Sequence, residues 1–346
     1  MPLSKTPVAN RWRSSLGGDD LRKRTMSKFG FLVLLLGLAA GAQAQAQAQP
    51  PRTLTSDAPT PAALGSETYR LWPGLAPGAT EATVEATPTL TLYRPQFPRP
   101  DGASVVIAPG GAYIGLAARL EGVEPAAWFT ARGITAFVLT YRVGPKARLP
   151  IPLADGARAI RFVRSHAHDF DLDPNRIGMM GFSAGGHLAA TTAVDATPGQ
   201  AQAQDPVERA SSRPDFLVLV YPWLEGAKLR PDGTSSYCDF AKLVGPACEP
   251  SAYARFAPLA HVSAQAPPTF IFHTTNDELV PVGGSARFYQ ALVDHGVPAE
   301  FHAFAEGRHG AGLGGASAVL QTWPALLDLW LRAKGLIEPA PVQPGQ

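Results

Sequence analysis

The feature that most constrains this chain is a recurring pair: a continuous apolar run, then residues at helical spacing. The runs are "ASVVIAPGG" (103–111), "ITAFVLTYR" (134–142), "RIGMMGFS" (176–183), "PDFLVLVYP" (214–222), "PTFIFHTT" (268–275) and "AEFHAFAEG" (299–307). Strands buried on both faces lose the apolar–polar alternation. Such strands separated by helices make a parallel sheet covered on both sides. The helical stretches are "EPAAWFTARG" (124–133), "PLADGARAIRFVRSHAHDF" (152–170), "AGGHLAATTAV" (184–194), "GSARFYQALVDHG" (284–296) and "ASAVLQTWPALLDLWLRAKG" (316–335). Pro324 suits the last of these only at the start of a turn. "TLTLYRP" (89–95) alternates, so antiparallel pairing is expected where the sheet begins. The expected fold class is α/β, a mostly parallel central sheet with helices on both faces. One interval breaks the rhythm. Residues 223–266 contain no clear strand and are expected to form a lid-like insertion over the carboxyl ends of the strands, where ligands of such sheets bind.

Charge separates the amino-terminal segment from the rest. Formal net charge is +2, but residues 1–44 hold seven of the 30 basic residues and two of the 28 acidic ones. The remainder is slightly acidic, so a nucleic-acid partner is not expected. Arg22, Lys23, Arg24 and Lys28 precede an apolar run from Phe29 to Ala40, and Ala42-Gln43-Ala44 fits a cleavage signal. Residues 1–44 therefore read as a signal peptide, with Met26 as an alternative start. The run is shorter than the about 20 residues a membrane span needs, so no span is expected after cleavage; an uncleaved anchor is the alternative. Residues 45–66 read as a flexible linker, 67–336 as one domain, and 337–346 as a tail. Export to the periplasm or the medium is the expectation. In an oxidising compartment Cys238 and Cys248 are expected to form a disulfide. No Cys or His pair nearby has zinc-ligand spacing.

"GFSAGG" (181–186) places Ser183 between an apolar strand and a helix. A G-x-S-x-G turn there crowds its own backbone, so Gly181 and Gly185 leave room and the serine hydroxyl stands exposed at the strand end. A serine needs a base, and the base an orienting acid. The order Ser, acid, His on loops after later strands points to Asp277 and His309. Asp277 follows "PTFIFHTT" and His309 follows "AEFHAFAEG". Glu278 could exchange roles with Asp277, but Asp277 is shorter and nearer the strand end. Asp277 as a plain turn residue is the bland alternative. His187 and His273 read as structural, His302 as surface or supporting. Oxyanion donors are expected from the amide of Ala184 and from Gly110 and Gly111 in "APGGAY". No G-x-G-x-x-G opens a helix after the first strand, which argues against a dinucleotide cofactor.

With these stretches and "YQALVDHGVPAEFHAF" and "GRHGAGL", the chain resembles the α/β-hydrolase superfamily. It looks like the secreted bacterial carbohydrate-esterase branch that includes acetyl-xylan and feruloyl-type esterases. The resemblance implies the α/β-hydrolase fold, a triad of Ser183, His309 and Asp277, and an oxyanion site around Gly110, Gly111 and Ala184. It implies no metal and no cofactor. The branch tends to have a third glycine where Ala112 stands and an aromatic where Ala311 stands. The expected function is an exported serine esterase for short acyl, chiefly acetyl, esters on polysaccharides or oligosaccharides. A general carboxylesterase for small lipophilic esters is the nearest alternative. An inactive binding module is the alternative from another class. Tyr113, Trp223 and Tyr253 either line a sugar cleft or pack inside.

Overall fold

The computed structural model describes residues 67–98, 102–225 and 253–337. The expected signal peptide, linker and disulfide, and most of the expected lid, lie outside these residues. Eight strands form one sheet: β1 (Glu67–Arg70), β2 (Thr89–Tyr93), β3 (Gly102–Ala108), β4 (Thr135–Thr140), β5 (Leu172–Phe182), β6 (Phe216–Val220), β7 (Thr269–Thr274) and β8 (Ala299–Phe304). Their spatial order is β1-β2-β4-β3-β5-β6-β7-β8. β1–β2 and β2–β4 pair antiparallel, and every later pair is parallel. The polar, mostly exposed β1 carries no apolar signal and is an addition to the sequence-based expectation.

Among the described residues five α-helices cover the sheet: α1 (Glu124–Thr130), α2 (Ile151–Ser165), α3 (Ser183–Val194), α4 (Gly283–Asp294) and α5 (Trp323–Ala333). Successive strand side chains point to opposite faces. Val106, Met179, Leu217 and Ile271 therefore pack with Ile160, Leu188 and Phe288 of α2, α3 and α4. Val105, Met180, Val218 and Phe270 pack on the other side with Phe129 of α1 and Trp323 and Trp330 of α5. Each such side chain contributes roughly 1.5–3 kcal/mol by leaving water. Pro324 sits in the first turn of α5, where its missing N–H costs nothing.

Parallel pairing brings the carboxyl ends together. Ala108 pairs with Gly181, and Phe182 with Val220. Hence the loops after β3, β5, β6, β7 and β8, which carry most of the sequence's candidate residues, open on one edge.

Candidate active site

Ser183 occupies the turn between β5 and α3 with φ of 51°, a left-handed conformation that non-glycine residues adopt only under external constraint. The close approaches around it explain its flanking glycines. A Cβ on Gly181 would fall on the carbonyl of Gly185, and one on Gly185 would fall on the carbonyl of Ala108. Ser183 therefore lies beside the end of β3 as well as β5.

The loops after β7 and β8 complete a hydrogen-bond chain. Ser183 Oγ lies 2.8 Å from Nε2 of His309, and Nδ1 of His309 lies 2.7 Å from Oδ2 of Asp277. The carboxylate can only accept from Nδ1, so Nε2 is left to accept the serine proton. Asp277 also serves as the turn residue of the bland reading: its Oδ1 accepts the amides of Leu279 at 3.0 Å and Val280 at 2.8 Å. Glu278 is exposed, and the structure brings Asp277 to His309 instead. Burial by itself would raise the Asp277 carboxyl. Hydrogen bonds from His273, His309 and the Val280 amide outweigh that and hold it well below the usual carboxylate range.

His273 is the supporting residue that its apolar strand disguised. Its Nε2–H donates to the Val280 carbonyl at 2.9 Å and lies 3.3 Å from Oδ2 of Asp277; Nδ1 is 2.8 Å from Ser285 Oγ. His273 is buried with both ring nitrogens partnered, as the structural reading expects, and it also lies against Asp277.

The loop after β3 corrects one expectation. The Gly110 amide already donates to Oε2 of Glu121 at 2.8 Å, so it is not free to meet an oxyanion. Other bonds aim the amides that follow. The Tyr141 hydroxyl donates to the Pro109 carbonyl at 2.6 Å. The Gly110 carbonyl accepts from Ala117 at 2.9 Å, and that of Gly111 from Ile114 at 3.0 Å. A trans peptide points its N–H opposite its C=O. Pinned carbonyls therefore fix the directions of the Gly111 and Ala112 amides. Ala112 has φ of 56°, which explains why a glycine suits that position in the resembled branch. The Ala184 amide stands in the first turn of α3, where helical N–H groups have no intrahelical acceptor.

Tyr113 and Trp223 take the packing side of their two readings. They are 1% and 5% exposed, as is Tyr253 at 1%. The Tyr113 hydroxyl lies 2.7 Å from Nδ1 of His187, and the Trp223 ring lies against His187 at 4.7 Å. His187 also donates to the Phe256 carbonyl through Nε2 at 2.6 Å, and burial pushes its pKa down to about 4. This neutral histidine ties α3 to the chain at Phe256. Trp223 reaches the site through its backbone: its amide donates to the Ser183 carbonyl at 3.2 Å.

Glu121 was missed altogether. It is buried, and its Oε1 accepts from the Tyr221 hydroxyl at 2.7 Å. Burial raises its carboxyl, only partly offset by hydrogen bonds from Tyr221 and Gly110. An acid inside "RLEGV" just ahead of a helix was the available signal.

A cleft of about 440 Å³ opens beside His309, which lines it with Asn276, Glu278, Leu279, Gly307 and Arg308. A larger one of about 580 Å³, between residues 78–86 and 142–151, contains no serine or histidine in its lining. Among the described residues no cluster of His, Cys, Asp or Glu could hold a metal ion. No described helix is long and apolar enough to cross a membrane.

The sheet order, the strained serine turn and the loops gathered at one edge are those of an α/β-hydrolase, and solved esterases of that fold superpose on this chain. The chain belongs to the BD-FAE family, whose model matches residues 90–292. It is 33% identical to an endo-1,4-beta-xylanase B of Butyrivibrio fibrisolvens over 60% of its length and 32% of that protein's. It is 31% identical to an acetylxylan esterase of Xylanibacter ruminicola over 62% of its length and 42% of that protein's. The chain thus spans less than half of these curated relatives. The crystal structure of an acetyl ester-xyloside bifunctional hydrolase from Caldicellulosiruptor lactoaceticus is 37% identical, with a TM-score of 0.70, covering 78% of this chain and 97% of that one. A thermophilic esterase from Thermogutta terrifontis is 26% identical, with a TM-score of 0.64, covering 80% of this chain and 95% of that one.

Proposed function

We propose that this protein is an exported serine esterase that removes short acyl groups, chiefly acetyl, from polysaccharides or oligosaccharides. The observation that carries the reading is the unbroken chain Ser183–His309–Asp277, with bonds of 2.8 and 2.7 Å. Ser183 Oγ attacks the ester carbonyl while Nε2 of His309 takes its proton. Asp277, held as an anion, fixes the imidazole and stabilises the imidazolium that forms. The oxyanion is met by the amides of Ala184 and Gly111, with Ala112 next along the fixed loop. His309 then protonates the leaving alcohol. Water, activated by the same imidazole, cleaves the acyl-enzyme.

The carbohydrate target is supported by the relatives named for acetylxylan and acetyl ester-xyloside hydrolysis. Export is supported by the basic and apolar anatomy of residues 22–44. The Thermogutta esterase favours a second reading, a general carboxylesterase for small esters. The test is acetate release from acetylated xylan beside hydrolysis of a p-nitrophenyl ester series, with Ser183→Ala in parallel. The reading expects release from the polymer and a loss of at least ~10⁴-fold in the variant. Turnover of the synthetic esters alone moves the assignment to the general carboxylesterase. Equal activity in the variant removes the serine mechanism.

A further inference from the structure

The buried carboxylate of Glu121 is not one of the reacting groups, yet it joins two loops that carry them. Oε2 accepts the Gly110 amide and Oε1 accepts the Tyr221 hydroxyl, at 2.8 and 2.7 Å. The same hydroxyl accepts the Gly312 amide at 2.8 Å, and the Tyr221 ring meets His309 edge-on at 5.0 Å. Three hydrogen bonds in series, Gly110–Glu121–Tyr221–Gly312, thus run from the oxyanion loop to the loop bearing His309.

Both loops need outside restraint. "PGGAY" and "GRHGAGLGG" have few side chains with which to hold their own shape. Ala112, Tyr113 and Tyr221 have φ of 56°, 57° and 37°, strain that persists only where neighbours over-determine the backbone. The peptide that leads into the first of these loops is held on both sides, its Pro109 carbonyl by Tyr141 and its Gly110 N–H by Glu121. An apolar side chain of similar volume would cost the fold less than a buried acid. It could not accept a directed bond from each of two loops.

We propose that Glu121 and Tyr221 are positioning residues that lock the oxyanion loop to the base loop. They set the spacing between the loop amides and His309 that the transition state requires. This rests on the esterase reading above. A donor displaced by about an ångström forfeits transition-state stabilisation while leaving ground-state binding nearly intact.

The test is steady-state hydrolysis of p-nitrophenyl acetate, with active sites counted by titration with a phosphonate. It uses the native protein, Tyr221→Phe, Glu121→Met, the double variant and Ser183→Ala. Phe keeps the ring, and Met keeps about the volume while accepting neither bond. Each single is expected to lower kcat about 10- to 100-fold with KM within about twofold. The double should fall no further than the worse single, since both cut one chain of bonds. Should one single yield no folded protein, the kcat and KM of the other decide. Native kcat per titrated site with only a lowered melting temperature overturns the lock. So do losses that multiply in the double. Full activity in Ser183→Ala would sink the esterase mechanism and the lock with it. An inactive Ser183→Ala beside a native-rate Tyr221→Phe would remove the lock alone.

Discussion

Asp277 and Glu121 are both buried acids at the carboxyl edge of the sheet, and their surroundings push them in opposite directions. Asp277 accepts the Leu279 and Val280 amides and Nδ1–H of His309, and Nε2–H of His273 lies close by. Those donors overcome burial, and its carboxyl stays ionised far into acid. Glu121 accepts from one amide and one hydroxyl; burial prevails, and its carboxyl is raised. The number of donors, not depth alone, decides the direction in which each carboxyl is pushed.

The sharpest way to break this contrast is Asp277→Asn. The amide keeps the shape but favours the wrong imidazole tautomer, and kcat should fall about 10⁴-fold in ester hydrolysis. A loss under tenfold would mean the anion is not what orients His309.

Thermal unfolding against pH sharpens the comparison from the stability side. Asp277 is depressed in the fold. Its stabilisation is present above the unfolded value, about 3.9, and is lost as pH falls through the folded one. Glu121 is raised, so its contribution is complete below about 4.3 and is lost as pH rises through the folded value. The melting advantage of the native protein over Asp277→Asn should therefore shrink toward acid. Its advantage over Glu121→Gln should shrink in the opposite direction. Parallel slopes for the two pairs would refute the contrast.

Ser285→Ala gives the smallest effect. It removes the partner of His273 Nδ1 without touching Asp277. About 1 kcal/mol of stability should go, and kcat should fall a few-fold as the imidazole loses one of the anchors that set its orientation. An unchanged kcat would confine His273 to packing.

Ser183, Asp277 and His309, which hydrogen bonds join in the structure, were legible because each follows an apolar strand within a few residues. The parallel sheet was legible for the same reason. The mostly exposed β1 was not, since Glu67–Arg70 shows no apolar pattern. "PGG" marks a tight loop, but which of its amides is free depends on a carboxylate eleven residues on. Glu121 itself is one of 28 acidic residues, and only tertiary contact distinguishes it. Tyr113 and Trp223 show the converse. An aromatic near a cleft and one beneath the nucleophile helix look alike until burial is known.

Ser183 and His309 are 126 residues apart, and His309 follows β8, which among the described strands lies at the edge of the sheet beside β7. This bears on the order in which the molecule comes together. β8 docks on β7 about thirty residues back, but the two reach the serine turn only when the longer interval between β6 and β7 has closed, and such long-range closure belongs to the slow steps of these topologies. During refolding, turnover should return only when the far edge is seated. Catalysis is then a signal that the sheet is finished, delivered by its last strand.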